Sequence, residues 1–143
     1  NLTITGGRAD FGGGIDNLGV LTLDSATVRG NTALRLGGGI ESHGALTLDN
    51  AAITGNTAGG GGGIGIATFG SATLNDGTTI SGNTVRASGG GIATFGSVTL
   101  NDSATITGNT AGISGGGVFK AAGGTVTGNL GNVSGNNPNN IAP

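Results

Sequence analysis

The sequence predicts an all-β, single-domain parallel β-helix (β-solenoid) of about five coils, each of 25 or 26 residues with three short strands. Three independent landmarks carry that prediction. The apolar residue after each glycine run falls at Ile15, Ile40, Ile66, Ile92 and Val118, in steps of 25, 26, 26 and 26 residues. The leucine of a Thr-Leu pair keeps the same period at Leu23, Leu48, Leu74 and Leu100. The apolar residue of an Ile/Val-x-Gly-Asn motif recurs at Val28, Ile53, Ile80, Ile106 and Val133, with Ile4 as a divergent first member.

Within each repeat the hydrophobic pattern has period two, the signature of a strand, and is bounded by Gly, Asn and Asp. The first strand lies at Gly-Gly-Ile, the second at segments such as VLTLD over 20–24, and the third at segments such as ATITGN over 104–109. Val98 and Leu100 flank Thr99, so the two apolar residues share one face and the threonine takes the other. Leu21, Leu46, Ala72 and Val98 form a further inward row. No segment shows a 3.6-residue period, and glycine this frequent opposes a helix by about 1 kcal/mol per position. At an inter-strand spacing of about 4.8 Å, five coils make a rod of only ~25 Å.

The asparagine of the third landmark repeats as Asn31, Asn56, Asn83, Asn109 and Asn136. Stacked at one corner, each amide can donate to one neighbouring coil and accept from the other, and Asn tolerates the left-handed conformation a corner needs. Phe69 and Phe95, inside identical GIATFGS segments, are expected to stack on each other. Residues 1–137 carry the repeats, and 138–143 read as a C-terminal tail.

Composition narrows the chemistry. Glycine supplies 35 residues, aromatics are four Phe, and Cys, Met, Trp and Tyr are absent. A net charge of -2 gives no basic footprint, so nucleic acid is not an expected partner. No run of about eighteen apolar residues is present, so membrane insertion is not expected. Without cysteine there is no thiolate site, and His43 is the single histidine, so no metal or other cofactor is expected. The pairs Asp16 with Glu41, Asp24 with Asp49, and Asp76 with Asp102 would stack about 5 Å apart, a separation that suits a retaining glycosidase. Any acidic position that follows the period produces such a pair, and no long loop is available to build a groove, so the expectation is that the chain is not an enzyme.

Gly-Gly-Gly-Ile followed by Ile/Val-x-Gly-Asn resembles the GGAI and FxxN repeats of chlamydial polymorphic outer membrane proteins. The pattern is also similar to the looser repeats of large secreted bacterial surface proteins. The resemblance covers roughly residues 2–137 and implies a right-handed β-helix exported to the cell surface, acting as an adhesin or scaffold. Ile or Val stands in place of the Phe of FxxN, and Gly in place of the Ala of GGAI.

The chain begins inside a third strand and finishes soon after another, so the expectation is that each end presents a coil face with unpaired backbone groups. Two such faces fit each other. The sequence therefore suggests an extracellular or cell-surface structural subunit that stacks head-to-tail on copies of itself, continuing the asparagine row across the joint, with Leu2, Ile4, Val133 and Ile141 at the assembly ends. A segment of a larger cell-surface adhesin, with an unknown host or matrix ligand, is the alternative. The outward threonines of the third strand, such as Thr105 and Thr107, also approximate the flat arrays of ice-binding β-solenoids.

Overall fold

A computed structural model describes residues 1–143 as a parallel β-solenoid of about five turns, with one three-residue 3-10 turn at Leu130–Asn132 as its helical element. Every strand pairing is parallel and joins one coil to the next. Besides the three strands anticipated for each coil, a fourth short strand follows the asparagine corner, so the rod has four sheets.

Sheet A stacks Thr3–Thr5, Thr27–Arg29, Ala52–Thr54, Thr79–Ser81, Thr105–Thr107 and Val133–Ser134. Sheet B stacks Arg8–Phe11, Thr32–Leu36, Thr57–Ala58, Thr84–Val85 and Thr110–Ala111. Sheet C stacks Ile15–Asn17, Ile40–Ser42, Ile64–Ile66, Ile92–Thr94, Val118–Lys120 and Ile141–Ala142. Sheet D stacks Val20–Asp24, Ala45–Asp49, Ser71–Leu74, Ser97–Leu100 and Thr125–Gly128. The chain visits them in the order A, B, C, D before rising to the next coil. The fourth strand escapes notice in the sequence because its later copies are only two residues long, Thr-Ala or Thr-Val, too short to show alternation.

The period-two pattern sends one residue in two to the axis. Val28, Ile53, Ile80, Ile106 and Val133 form the sheet A row, and Leu23, Leu48, Leu74 and Leu100 that of sheet D, all buried in one cluster of 20 residues. Under sheet B lies a separate small cluster of Ala33, Ala58, Val85 and Ala111. Its residues are small because the glycine run begins within a few residues and draws the chain close.

In the sheet C row the structure corrects the register. The row runs Ile15, Ile40, Ile64, Ile92, Val118, so Ile64 occupies the place assigned to Ile66. Ile66 remains in the core at 1% exposure, but its partners are Ser42 and Thr94. The segment Gly-Ile-Gly-Ile offers two inward isoleucines, and the preceding glycines choose between them. A Cβ at Gly63 would lie 2.6 Å from the Gly91 carbonyl oxygen, so Gly63 must sit against Gly91, and the residue that follows is Ile64.

The two surplus residues of that coil are turned out between Ile66 and Ser71, where the Gly70 N–H donates to the Ala67 carbonyl at 2.8 Å. Phe69 stands in this turn at 96% exposure while Phe95 is much less exposed, so the expected aromatic stack does not form. The identical GIATFGS segments are out of register: Ser71 pairs Ser97, but Ile64 rather than Ile66 pairs Ile92.

Candidate functional site

The asparagine corner is the most ordered polar feature of the rod. From Asn56 onward each Oδ1 accepts twice from the preceding coil: Asn83 Oδ1 receives the Asn56 N–H at 2.9 Å and the Asn56 Nδ2 at 3.0 Å. Each Nδ2 also donates backward to a sheet A carbonyl, from Asn31 to Ile4, Asn56 to Val28, Asn83 to Ile53, Asn109 to Ile80 and Asn136 to Ile106. Asn56, Asn83 and Asn109 are fully buried, so these bonds meet no competition from water.

The left-handed turn attributed to Asn is made by the glycine before it, as at Gly55 with φ +61° and Gly82 with φ +63°. That division of labour leaves the asparagine backbone free to join the ladder. The corner is also tied to the glycine run. A Cβ on Gly39 would meet Asn56 Nδ2 at 2.9 Å and the Gly63 carbonyl oxygen at 2.7 Å; on Gly63 it would meet Asn83 Nδ2 at 3.0 Å. The last glycine of each run is therefore the floor on which the next coil's asparagine lies, which is why the two motifs travel together.

The asparagine row closes inside the chain at both ends. Gly7 takes the asparagine place in the first coil, and its N–H donates to Asn31 Oδ1 at 2.9 Å. At the other end Asn140 Oδ1 accepts the Asn136 N–H at 3.1 Å and its Nδ2 at 3.2 Å. Continuation of the row across an axial joint, expected from the sequence, is thus replaced by closure. Residues 138–143 are correspondingly part of the solenoid: Ile141 pairs Val118, Ala142 pairs Phe119, and Asn139 Oδ1 accepts the Gly115 N–H.

Of the four residues assigned to the assembly ends, Leu2 is 57% exposed and Ile4 half-buried at the outer edge of sheet A. Ile141 is half-buried on the edge strand of sheet C, Val126 is half-buried in the last strand of sheet D, and Val133 is buried. On the N-terminal face Ile4, Ile15 and Leu21 are all only partly buried, whereas Ile53, Ile40 and Leu46 one or two coils further in are enclosed.

The acidic pairs stack as anticipated where strands carry them: Asp16 partners Glu41, and Asp24 partners Asp49. They do different things. Glu41 is 2% exposed, its Oε2 has no hydrogen-bond partner, and that oxygen fills the space a Cβ on Gly65 would need. Burial, and then the Asp16 carboxylate, push its pKa up from 4.5 to about 7. His43 Nε2 approaches Asp16 Oδ1 at 3.9 Å on the exposed surface. At the corner between sheets D and A the carboxylates merge into a second, shorter amide row, in which Asn75 Nδ2 donates to Asp49 Oδ1 and Asn101 Nδ2 donates to Asn75 Oδ1 at 2.7 Å. Asp76 Oδ1 accepts the Ser103 N–H at 3.1 Å, which fixes the turn there.

The outward threonines of sheet A form two columns, Thr3, Thr27, Ala52, Thr79, Thr105 and Thr5, Arg29, Thr54, Ser81, Thr107. Sheet D carries a column that sequence reading passed over although its spacing was visible: Thr22, Thr47, Thr73, Thr99 and Thr127 in unbroken register. Two shallow depressions furrow sheet B. One of about 330 Å³ is lined by Arg8, Ala9, Asp10, Thr32 and Leu34; its neighbour, of about 130 Å³, includes Thr57, Gly59 and Arg86. No family model matches the chain. No curated protein matches it, and neither does any solved structure.

Proposed function

We propose that this solenoid is a non-catalytic structural element of an extracellular or cell-surface scaffold, and that it extends by stacking end to end along its axis. The observation that supports this reading is the N-terminal coil face. There the first strand of every sheet is an edge, and three residues of the core rows are only half covered. Such a face offers backbone donors and acceptors together with apolar surface.

A further coil of a longer polypeptide and the C-terminal coil of a second copy would meet this face in the same way, and one experiment separates them. The 143-residue chain is examined by negative-stain microscopy and sedimentation over a wide concentration range. Filaments one solenoid wide are expected. The Thr27 N–H donates to the Leu2 carbonyl, so alternation along the strand turns the Thr5 N–H toward the open edge. Thr5→Pro removes that donor at an edge position that tolerates proline, and is expected to weaken assembly by about tenfold or more. Uniform monomers at every concentration, or assembly indifferent to Thr5→Pro, overturn the subunit reading and favour an internal element of a larger adhesin.

A further inference from the structure

The charges of this chain are segregated around the rod. The corner between sheets A and B, with sheet B itself, carries Arg8, Arg29, Arg35 and Arg86 against one carboxylate, Asp10, a formal excess of three positive charges. The rest of the circumference, from sheet C through sheet D to the corner before sheet A, carries five solvent-facing carboxylates, Asp16, Asp24, Asp49, Asp76 and Asp102, and the buried Glu41, against Lys120. That is a formal excess of five negative charges, and the two sides together make the net charge of -2. An overall charge this small conceals two sides of opposite sign.

Exposed apolar side chains accompany both. On the basic side Leu34 is 75% and Ile113 70% exposed; on the acidic side Leu18 is 76% and Val20 86% exposed. Sheet B is also furrowed. Thr32 and Leu34 belong to both depressions, Arg8 lines the first and Arg86 the second, and Gly59 lowers the ridge between Leu34 and Arg86. The inward residues beneath this sheet are Ala33, Ala58, Val85 and Ala111. A hydrophilic polyanion would satisfy the arginines but leave Leu34 and Ile113 uncovered. A protein surface with both carboxylates and apolar side chains covers all of them, and the opposite side of this same chain has both.

We propose that sheet B, with its arginines and Leu34, is the docking surface for the acidic sheet D side of a second copy of this chain, so that solenoids associate side by side. The contact is heterologous and leaves one copy of each pair with a free acidic side and the other with a free basic side, so it propagates into a layer of rods. Opposite faces attract while like faces repel, which fixes both the partner side and the sign of its salt dependence. The proposal does not rest on axial stacking, because it uses no strand edge.

The test uses the 143-residue chain and two charge-reversed variants, Arg8→Glu with Arg86→Glu, and Asp24→Lys with Asp102→Lys. All four side chains are exposed, and circular dichroism checks that the coils are intact. In sedimentation velocity the parent chain is expected to self-associate at low ionic strength, with association weakened about tenfold or more at high salt. Each variant alone is expected to lose that association. Mixed one to one, they are expected to recover it, since each then presents the sides the other lacks. Three results overturn the proposal: association that charge reversal leaves unchanged, loss in both variants without recovery on mixing, or capture of a sulfated polysaccharide by the arginine side with no self-association. Loss of association in Thr5→Pro with salt dependence abolished would assign the contact to the axial ends instead.

Discussion

Replacing Asn83 with alanine tests whether the asparagine corner holds the coils together, and the size of the effect follows from the bonds removed. The side chain makes four: Nδ2 to Asn109 Oδ1 at 2.9 Å, Nδ2 to the Ile53 carbonyl at 2.9 Å, and Oδ1 from the Asn56 N–H at 2.9 Å and Asn56 Nδ2 at 3.0 Å. Two of the partners keep alternatives, since Asn56 Nδ2 still reaches the Val28 carbonyl and Asn109 Oδ1 still accepts the Asn83 N–H. The Asn56 N–H loses its acceptor in a place where water does not reach. An orphaned buried donor costs about 1 to 3 kcal/mol, and the three other bonds about 0.5 to 1.5 kcal/mol each, so a loss of about 2.5 to 7.5 kcal/mol is expected.

The chain has no Trp or Tyr, so the assay is urea unfolding followed by far-ultraviolet circular dichroism, together with amide hydrogen exchange at Asn56. Asn136→Ala also takes the acceptor from the Asn109 N–H, but Asn136 itself is half-exposed and solvent can replace its remaining bonds, so the cost should be smaller, about 1 to 3 kcal/mol. Asn83→Asp keeps the shape but turns a carboxylate oxygen toward two acceptors. Burial and those acceptors raise its pKa, so this variant should be worse than alanine at neutral pH and recover as the pH falls. An Asn83→Ala chain within about 0.5 kcal/mol of the parent, an Asn56 amide as protected as before, or an equal loss at Asn136 would refute the reasoning.

Other expectations follow from the same geometry. Gly63→Ala places a Cβ 2.6 Å from the Gly91 carbonyl oxygen, where backbone must move, and should cost well over 2 kcal/mol. Gly55→Ala, with φ +61° and nothing within 4 Å, should cost only the ~1 to 2 kcal/mol of a left-handed alanine; thermal melts compare the two. Glu41 favours its protonated form in the folded state, since its pKa rises from 4.5 to about 7. Its contribution is therefore full below about pH 4.5 and is lost as the pH rises through 7, a fall of ~3 kcal/mol by linkage. Glu41→Gln should flatten that dependence in urea titrations across pH. Leu74→Ala should cost about 2 to 5 kcal/mol and Phe69→Ser under about 0.5 kcal/mol, because the leucine is enclosed and the phenylalanine stands in solvent. Equal losses would mean that the register around Ile64 is wrong.

What the sequence revealed of this fold is what repetition makes visible. Val28, Leu48 and Asn83 are found because each recurs in every coil with the same neighbours, and the structure puts each in its row. Ile64 was missed because sequence identity aligned GIATFGS with itself, whereas stacking is decided by the glycines before it. The strands of sheet B were missed because two residues carry no period. The threonine column of sheet D is legible in the sequence, since Thr22, Thr47, Thr73 and Thr99 each precede a leucine of the repeat and Thr127 continues their register. Gly7 stands at the asparagine place of the divergent first repeat and Asn140 lies beyond the last one, so neither carries the repeated asparagine and only contacts show that they close the row.

The spacing itself is not what the rod conserves from coil to coil. Ile40 and Ile64 are 24 residues apart, and Ile64 and Ile92 are 28 apart, yet both pairs lie side by side in one sheet. The chain absorbs the difference in turns, as at Ala67–Gly70, while keeping the contact between the last glycine of one run and the asparagine of the next coil. Coil stacking therefore depends on a few rows of small, buried groups and is indifferent to the outward positions and turn lengths. Those positions are free to carry charge, exposed leucine and threonine columns without cost to the fold. The arginines of sheet B and the carboxylates beside sheet D occupy such positions, so reversing them should alter how rods meet while leaving each rod intact.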